Sequence, residues 1–510
     1  CILALPSCYI TTLSYYLFTM KKLLLLGMTA LFCFACNDSR TVTVTVTNPL
    51  AMERSNEMVE VSMETVTDRL GLADTAQIVV LNADGQQVPY QITYDGKVIF
   101  PAAIAAGGTA TYTIQTGTPE AFDVKACGRC YPERMDDMAW ENDLVAFRAY
   151  GPALQAKGER GFGYDLFTKY NTTEPMLEAM YAKELDKETL AKIAELKKTD
   201  PKAAAELSRE RSYHIDHGYG MDCYAVGPTL GAGVAALMVN DTIIYPWCYK
   251  NQEILDNGPL RFTVKLEFTP LTVKGDSTVV ETRLITLDAG SHLNKTVVSY
   301  SNLKETLPIV AGIVLHEPDG AVVADAANGY ITYVDPTTGP DNGKIFMGAA
   351  VPAVVKDAKT VLFSEKEKKE RNNADGHVLA VSDYEPGSEY VYYWGFAWDK
   401  ADLSEEGKAY LDQFLAAYVP VISSAIEDGK VSTIVVEGYT DSAGDEAYNL
   451  KLSQERAKTV ADYIKAGYPE LTNAIEVVGN GANNLILDGE GKEDAAASRR
   501  VEVRYVLKTE

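Results

Sequence analysis

Between Tyr213 and Gly233 the chain reads YHIDHGYGMDCYAVGPTLGAG. Two of the five histidines, His214 and His217, stand there with Asp216, Asp222 and the phenols of Tyr213, Tyr219 and Tyr224. Imidazoles exchange protons near neutrality and phenols donate them, so the mixture suits general acid–base chemistry. Gly218, Gly220, Gly227, Gly231 and Gly233 let the backbone turn sharply and approach a ligand. No periodic apolar face explains the stretch. One reading is a binding or catalytic site on a loop; the other is a hydrogen-bond network bracing a sheet. The spacing of His214, Asp216 and His217 also offers metal ligands, with His316 as a further one, and Ca²⁺ and Zn²⁺ both remain open.

Candidates elsewhere complete a chemistry. In WENDLVAFRAYGPA, Val145, Phe147 and Ala149 alternate with Ala146, Arg148 and Tyr150, which predicts a strand ending at Gly151-Pro152. Arg148 beside Trp140 and Tyr150 suits a carboxylate or a sugar; an ion pair with Glu141 or Asp143 is the competing reading. The motif Asn257-Gly258-Pro259-Leu260-Arg261 puts Arg261 at a strand mouth, and His316 and Glu317 close the apolar run Ile309–Leu315. Removing a proton beside a uronate carboxylate needs a cation, a base and an acid. Arg148 or Arg261, His214 or His217, and Tyr213 or Tyr219 supply them, giving β-elimination by a lyase or dehydratase. Glu141, Asp216 and Glu317 would instead serve paired-carboxylate hydrolysis. A non-catalytic glycan binder is the alternative, with Trp140, Trp247, Trp394 and Trp398 as stacking platforms.

The elements that must position these groups follow from pattern. A chain of 510 residues divides into several domains, and a formal charge of −24 excludes a nucleic-acid partner. Residues 1–19 read as an upstream extension. Met20-Lys21-Lys22 and the apolar run after it, to residue 35, read as an export signal. Cys36 stands after Ala35 and before Asn37-Asp38-Ser39, which resembles a lipobox and makes Cys36 the lipidated residue. Cys127 and Cys130 form a single CxxC, open to a local disulfide or, with Cys223 and Cys248, to zinc; structural or incidental thiols are the favoured reading. The expected fold is mainly β. An N-terminal sandwich occupies 36–118, opening on the strict alternation of Thr41–Asn48. A large central sandwich occupies 119–400 with a helical insertion over 174–211, restarted at Asp200-Pro201. An α/β module closes the chain over 401–510, with a helix expected over 403–426.

Two resemblances add to this. GYTDSAGDEAYNLKLSQERA resembles the OmpA-like peptidoglycan-binding domain in residue order and spacing. The resemblance implies that Asp441 pairs with the ammonium of diaminopimelate in the stem peptide and Arg456 with its carboxylate, with Asn449 and Arg499 in the same site. Ser498-Arg499-Arg500 stands where that family has Asn-Arg-Arg. Residues 41–400 resemble the DUF4861 family of exported bacterial proteins through WENDLVAFRAYGPA, the 213–233 stretch and NGPLR. That family resembles the super-sandwich folds of carbohydrate-active proteins. The implied protein is an outer-membrane lipoprotein, facing the periplasm, whose partners are peptidoglycan, an acidic oligosaccharide and the membrane through its lipid.

Overall fold

The structure, a computed structural model, describes residues 40–507 except 51–52, 73–76, 171–174, 319, 340–341, 402–430, 443–445, 488–491 and 494–497. The export segment, Cys36 and the helix expected over 403–426 lie outside the described residues. The chain divides into two compact units, Cys1–Thr338 with Lys344–Trp398, and Gly339–Gly343 with Asp399–Glu510.

The first unit is almost wholly β. Strict alternation makes Thr41–Thr47 a strand that buries Val42, Val44 and Val46 while its threonines face outward. It pairs with Thr109–Thr116 in a four-stranded sheet, and a three-stranded sheet built on Arg54–Ser62 and Lys97–Ile104 completes the sandwich. Val59, Val61, Val98 and Phe100 fill the space between them.

Three further sheets follow in the same unit. A nine-stranded sheet runs from Tyr249–Asn257 through Arg261–Phe268, Asp276–Asp288, Leu293–Ser301 and Tyr390–Trp398 to Val322–Asp325. An apolar five-stranded sheet centres on Leu307–Leu315 between Ala232–Val239 and Gly376–Tyr384. The third has the order Gly220–Met221, Tyr164–Lys169, Ala146–Ala149, Asp137–Glu141, Cys127–Tyr131 and carries the chemistry discussed below.

That third sheet corrects one detail of the pattern reading. The WEND residues end one strand, Asp137–Glu141, and turn back into the next, Ala146–Ala149. Asn142 makes the turn: its Oδ1 accepts from the amides of Leu144 and Val145, which leaves no room for one continuous strand. Pleating then sends Phe147 and Arg148 to opposite faces. Phe147 enters an aromatic core, 4.9 Å from the ring of Trp394, which itself stacks 4.2 Å from Tyr164. Arg148 enters the other face, which is roofed by Met176, Leu177, Met180 and Tyr181 at the start of the helical insertion.

The insertion comprises helices Leu177–Glu184, Lys187–Thr199 and Pro201–Arg211. Asp186 and Asp200 cap the last two by accepting from the amides of Thr189 and Ala203, and Pro201 occupies a first-turn position where no amide is needed. The last helix delivers the chain to Tyr213.

Among the described residues the second unit shows a three-stranded sheet against a long helix. Val431–Gly438 lies between the parallel strand Ile475–Gly479 and the antiparallel strand Val501–Leu507. Helix Glu446–Gly467 packs on it through Ala457, Ala461 and Ile464 against Ile434 and Val436. At Gly438 a Cβ would stand 1.9 Å from the carbonyl oxygen of Ser453, so only glycine lets this strand and helix approach so closely.

Candidate functional site

Arg148 and Asp165 face each other across the antiparallel ladder, and each is at most 3% exposed. The Arg148 Nε donates to Asp165 Oδ2 at 3.1 Å, and Nη2 bonds the same oxygen more closely and Asp222 Oδ2 at 3.1 Å. Nη1 reaches the Tyr213 hydroxyl at 3.4 Å and stands 3.6 Å from Asp137 Oδ2. The Tyr150 hydroxyl donates to Asp165 Oδ2 at 2.7 Å. Burial opposes the Arg148 charge, but Asp165, Tyr150 and Asp222 outweigh it and hold the guanidinium protonated. The fork is saturated and out of reach of solvent.

Around this one buried cation stand three carboxylates. Burial pushes Asp222 well above the carboxylate range, reinforced by Asp165 and opposed by Arg148. Burial also pushes Asp137 up to about 6, against the pull of Arg148 and Arg134. Asp137 is fully buried, and neither of its oxygens has a hydrogen-bond partner of good geometry among the described residues.

The network reaches the surface at His214. Its ring is 61% exposed; Nδ1 lies 3.1 Å from the Asp222 carbonyl oxygen and 3.6 Å from Asp222 Oδ2. Tyr213 lies behind it, ring centres 4.5 Å apart, and the Tyr213 hydroxyl accepts from Arg134 Nη2 at 2.8 Å. Arg134 is half-buried and precedes two consecutive left-handed residues, Met135 (φ 57°) and Asp136 (φ 61°). Such backbone is costly outside glycine and persists only where its surroundings enforce it.

The rest of the stretch braces its own loop. Asp216 accepts from the amides of Gly218 and Gly220 and from the Tyr170 hydroxyl at 2.9 Å. His217 Nε2 lies 3.0 Å from the Ser212 carbonyl oxygen, and its ring neighbours that of Tyr219. No three His, Cys, Asp or Glu side chains gather to hold a metal among the described residues, so the Ca²⁺ or Zn²⁺ reading of His214, Asp216 and His217 finds no ligand set there. Among the described residues Cys127, Cys130 and Cys248 form no disulfide, and Cys223 is buried. Cys127 and Cys130 lie three apart on one strand, so their side chains leave opposite faces.

The other candidates are placed apart and otherwise engaged. His316 bonds Asp335 Oδ2 at 2.6 Å at the end of the apolar sheet, under the ring of Tyr224. Burial opposes its charge, but Asp335 outweighs burial and raises its proton affinity. Tyr224 is buried, and burial, followed by the charges of Asp335 and Asp165, pushes its phenol up. Arg261 grips both oxygens of Asp288, at 2.6 and 2.8 Å, and Glu60 at 2.7 Å, which pins the N-terminal sandwich to the nine-stranded sheet. Glu141 accepts from Lys169 Nζ at 2.5 Å and from the amides of Met176 and Leu177, capping the first insertion helix. Both serve as structural clamps, and neither Glu141 nor Asp143 is the partner of Arg148.

Pattern reading therefore passed over Asp137, Asp165, Asp335 and Arg134. One signal was available: an aspartate inside the otherwise apolar run YDLF needs a buried partner.

In the second unit, Asp441 Oδ2 accepts from Arg499 Nη1 at 2.5 Å, and Asn449 Nδ2 donates to the Asp441 carbonyl oxygen at 3.4 Å. Ser453 Oγ accepts from the Gly481 amide at 2.8 Å. Asn449, Ser453 and Arg456 follow helical spacing, so the half-buried Arg456 shares the helix face of the first two.

Comparison with known proteins follows this division. The DUF4861 family model, described as a domain of unknown function, matches residues 46–427, and the OmpA family model matches residues 396–499. Uncharacterized protein P7 of Formosa agariphila is 24% identical over 413 residues, 77% of this chain and 94% of that protein. Outer membrane protein A of Bordetella avium is 39% identical over 111 residues, 22% of this chain and 53% of that protein. Outer membrane protein A of Klebsiella pneumoniae is 32% identical over 174 residues, 32% of this chain and 46% of that protein. The chain spans about half the length of those two outer membrane proteins. Among solved structures, an alpha-mannosidase from Enterococcus faecalis superposes with a TM-score of 0.38 at 8% identity, over 80% of this chain and 48% of that one, a likeness too slight to bear on function.

Proposed function

The chain belongs to the DUF4861 family and ends in an OmpA-family domain, and we propose that it is a cell-envelope protein that holds peptidoglycan with its C-terminal domain and acts on uronate-containing oligosaccharides with its central one. The observation that carries the central reading is an exposed imidazole backed by a buried acid, His214 on Asp222. In this reading His214 removes the proton beside the uronate carboxylate. The freed electron pair forms a carbon–carbon double bond, and the glycosidic oxygen leaves with a proton from Tyr219, the half-exposed phenol of the same loop. Arg134 takes the neutralising role expected of Arg148 or Arg261, because Arg148 is buried among its carboxylates and Arg261 is clamped between Asp288 and Glu60. Arg148 is a positioning residue that holds Asp222 and Tyr213. A lipid on Cys36 would anchor the protein, and the outer membrane proteins matched by the C-terminal domain support an envelope location.

Incubation with uronate oligosaccharides should generate the ultraviolet absorbance of an unsaturated uronate. His214→Ala should lower that rate by about a hundredfold or more while ligand binding persists. Binding without turnover in the unaltered protein would sink the lyase and leave a glycan binder, the reading favoured by the complete burial of the Arg148 fork.

For the C-terminal domain, the support is the cluster of Asp441, Asn449 and Arg499 beside the helix that carries Arg456. A zwitterionic diaminopimelate group asks for one anion and one planar cation. Retention on diaminopimelate-type peptidoglycan should be lost in Asp441→Ala and in Arg456→Ala. Retention equal to that of the unaltered chain in both variants would refute the assignment.

A further inference from the structure

A row of aromatic rings unused by the proton chemistry lies beside the Arg148 network. Trp247 is 45% exposed, whereas Trp140, Trp394 and Trp398 are at most 2% exposed. Its indole stands 6.2 Å from the ring of Phe162, which stands 5.4 Å from that of Tyr245. The Arg371 guanidinium then lies 4.5 Å over Tyr245 and 5.0 Å over Phe363. Three segments distant in sequence converge to build this row, Phe162, Tyr245–Trp247 and Phe363–Arg371, and a half-exposed indole gives up apolar surface that folding alone would bury.

The Trp247 end borders a hollow of about 10 Å³, lined by Phe162, Tyr249, Phe268, Arg283 and Tyr150 among others. Gly161 makes room for Tyr150, since a Cβ there would stand 2.4 Å from the phenol ring. The same Tyr150 donates its hydroxyl to Asp165. Tyr150 therefore both lines the hollow and belongs to the Arg148 network.

We infer that this row is a docking rail for an acidic oligosaccharide, with one sugar ring on Trp247 and an acidic group toward Arg371. Three features select that ligand. A pyranose offers an apolar C–H face to an aromatic ring and hydroxyl groups at its edge, which matches the exposed indole of Trp247 beside the half-buried rings of Phe162 and Tyr245. A peptide helix or a lipid tail would need a continuous apolar trough, which a single exposed indole flanked by half-buried rings does not provide. The cation at the far end, whose Nη1 already donates to the Pro228 carbonyl oxygen at 2.6 Å, selects a negative group over a neutral one. The inference rests on the reading that the central domain takes acidic oligosaccharides and adds where their chain lies.

Because three of the four tryptophans are buried, Trp247 is the fluorophore that a ligand on this surface reaches. Titration of the full chain with oligosaccharides of galacturonate, of mannuronate and of glucuronate should shift or quench its emission saturably for at least one, and not for neutral cello-oligosaccharides. Calorimetry should show affinity for that ligand reduced at least tenfold in Trp247→Ala, restored in good part in Trp247→Phe, and reduced in Arg371→Gln. Melting curves distinguish a lost contact from a lost fold in each variant. No emission change with any acidic oligosaccharide, or full affinity in Trp247→Ala, overturns the rail. If turnover at His214 survives in that case, the rail alone falls; if neither turnover nor binding is found, the oligosaccharide reading falls with it.

Discussion

Arg148→Met should destabilise the central domain by about 3–5 kcal/mol, the usual cost of removing one partner from a buried ion network. The guanidinium is the buried cation facing Asp165 and Asp222, and it approaches Asp137 to 3.6 Å. Methionine fills similar volume, so the loss is electrostatic more than a cavity. The stranded carboxylates must then take up protons or water, and Tyr213 loses one of its two guanidinium contacts. The double variant Arg148→Met/Asp165→Asn removes the acid with the greatest number of bonds to Arg148 and should recover a substantial part of the loss. Denaturant melts followed by near-ultraviolet circular dichroism would measure both. A double variant no more stable than the single one would contradict this account of the network.

Asp137→Asn should have the opposite sign and should depend on pH. Burial raises the Asp137 carboxyl from 3.8 to about 6 in the folded protein. A raised acid pKa means that the folded state holds the proton more tightly than the unfolded one. The group therefore costs nothing below the unfolded pKa, and stability is lost as pH rises from about 4 to about 6. The span corresponds to about 3 kcal/mol at most. Asparagine cannot ionise, so the variant should match the parent near pH 4 and exceed it by up to about 3 kcal/mol at pH 7. A stability difference that stays flat between those two pH values would show that Asp137 is comfortably ionised in the fold. The cost borne at neutral pH is itself informative. This costly acid stands directly after a strained turn, Met135-Asp136, so both strains fall at one place beside Arg148.

How these groups meet explains where sequence reasoning succeeded and failed. The 213–233 stretch was recognised as unusual because its types conflict with any packing pattern, and the structure brings Tyr213, His214 and Asp222 from it onto Arg148. Its remaining members, Asp216 and His217, serve the loop itself. Arg148 and Arg261 look alike in sequence, each in a strand beside aromatic or turn residues, yet one centres a buried network and the other pins a domain. The difference lies in partners 17, 74, 27 and 201 residues away. Local composition carries no information about such partners.

What the chain's pattern determined unaided is everything set by short-range stereochemistry: the valine face of Thr41–Thr47, the capped restart at Asp200-Pro201, the mainly β character and the division into a β part followed by an α/β module. Period-two pleating and helix capping act between neighbours, so neighbours reveal them. Tertiary structure alone decided which charges are spent and which are left for chemistry. Strand register placed Asp165 opposite Arg148, and the loop after the insertion brought in Asp222 and lifted His214 to the surface. A charge is defined by what surrounds it, and in a sheet built from distant strands those surroundings come from everywhere in the chain.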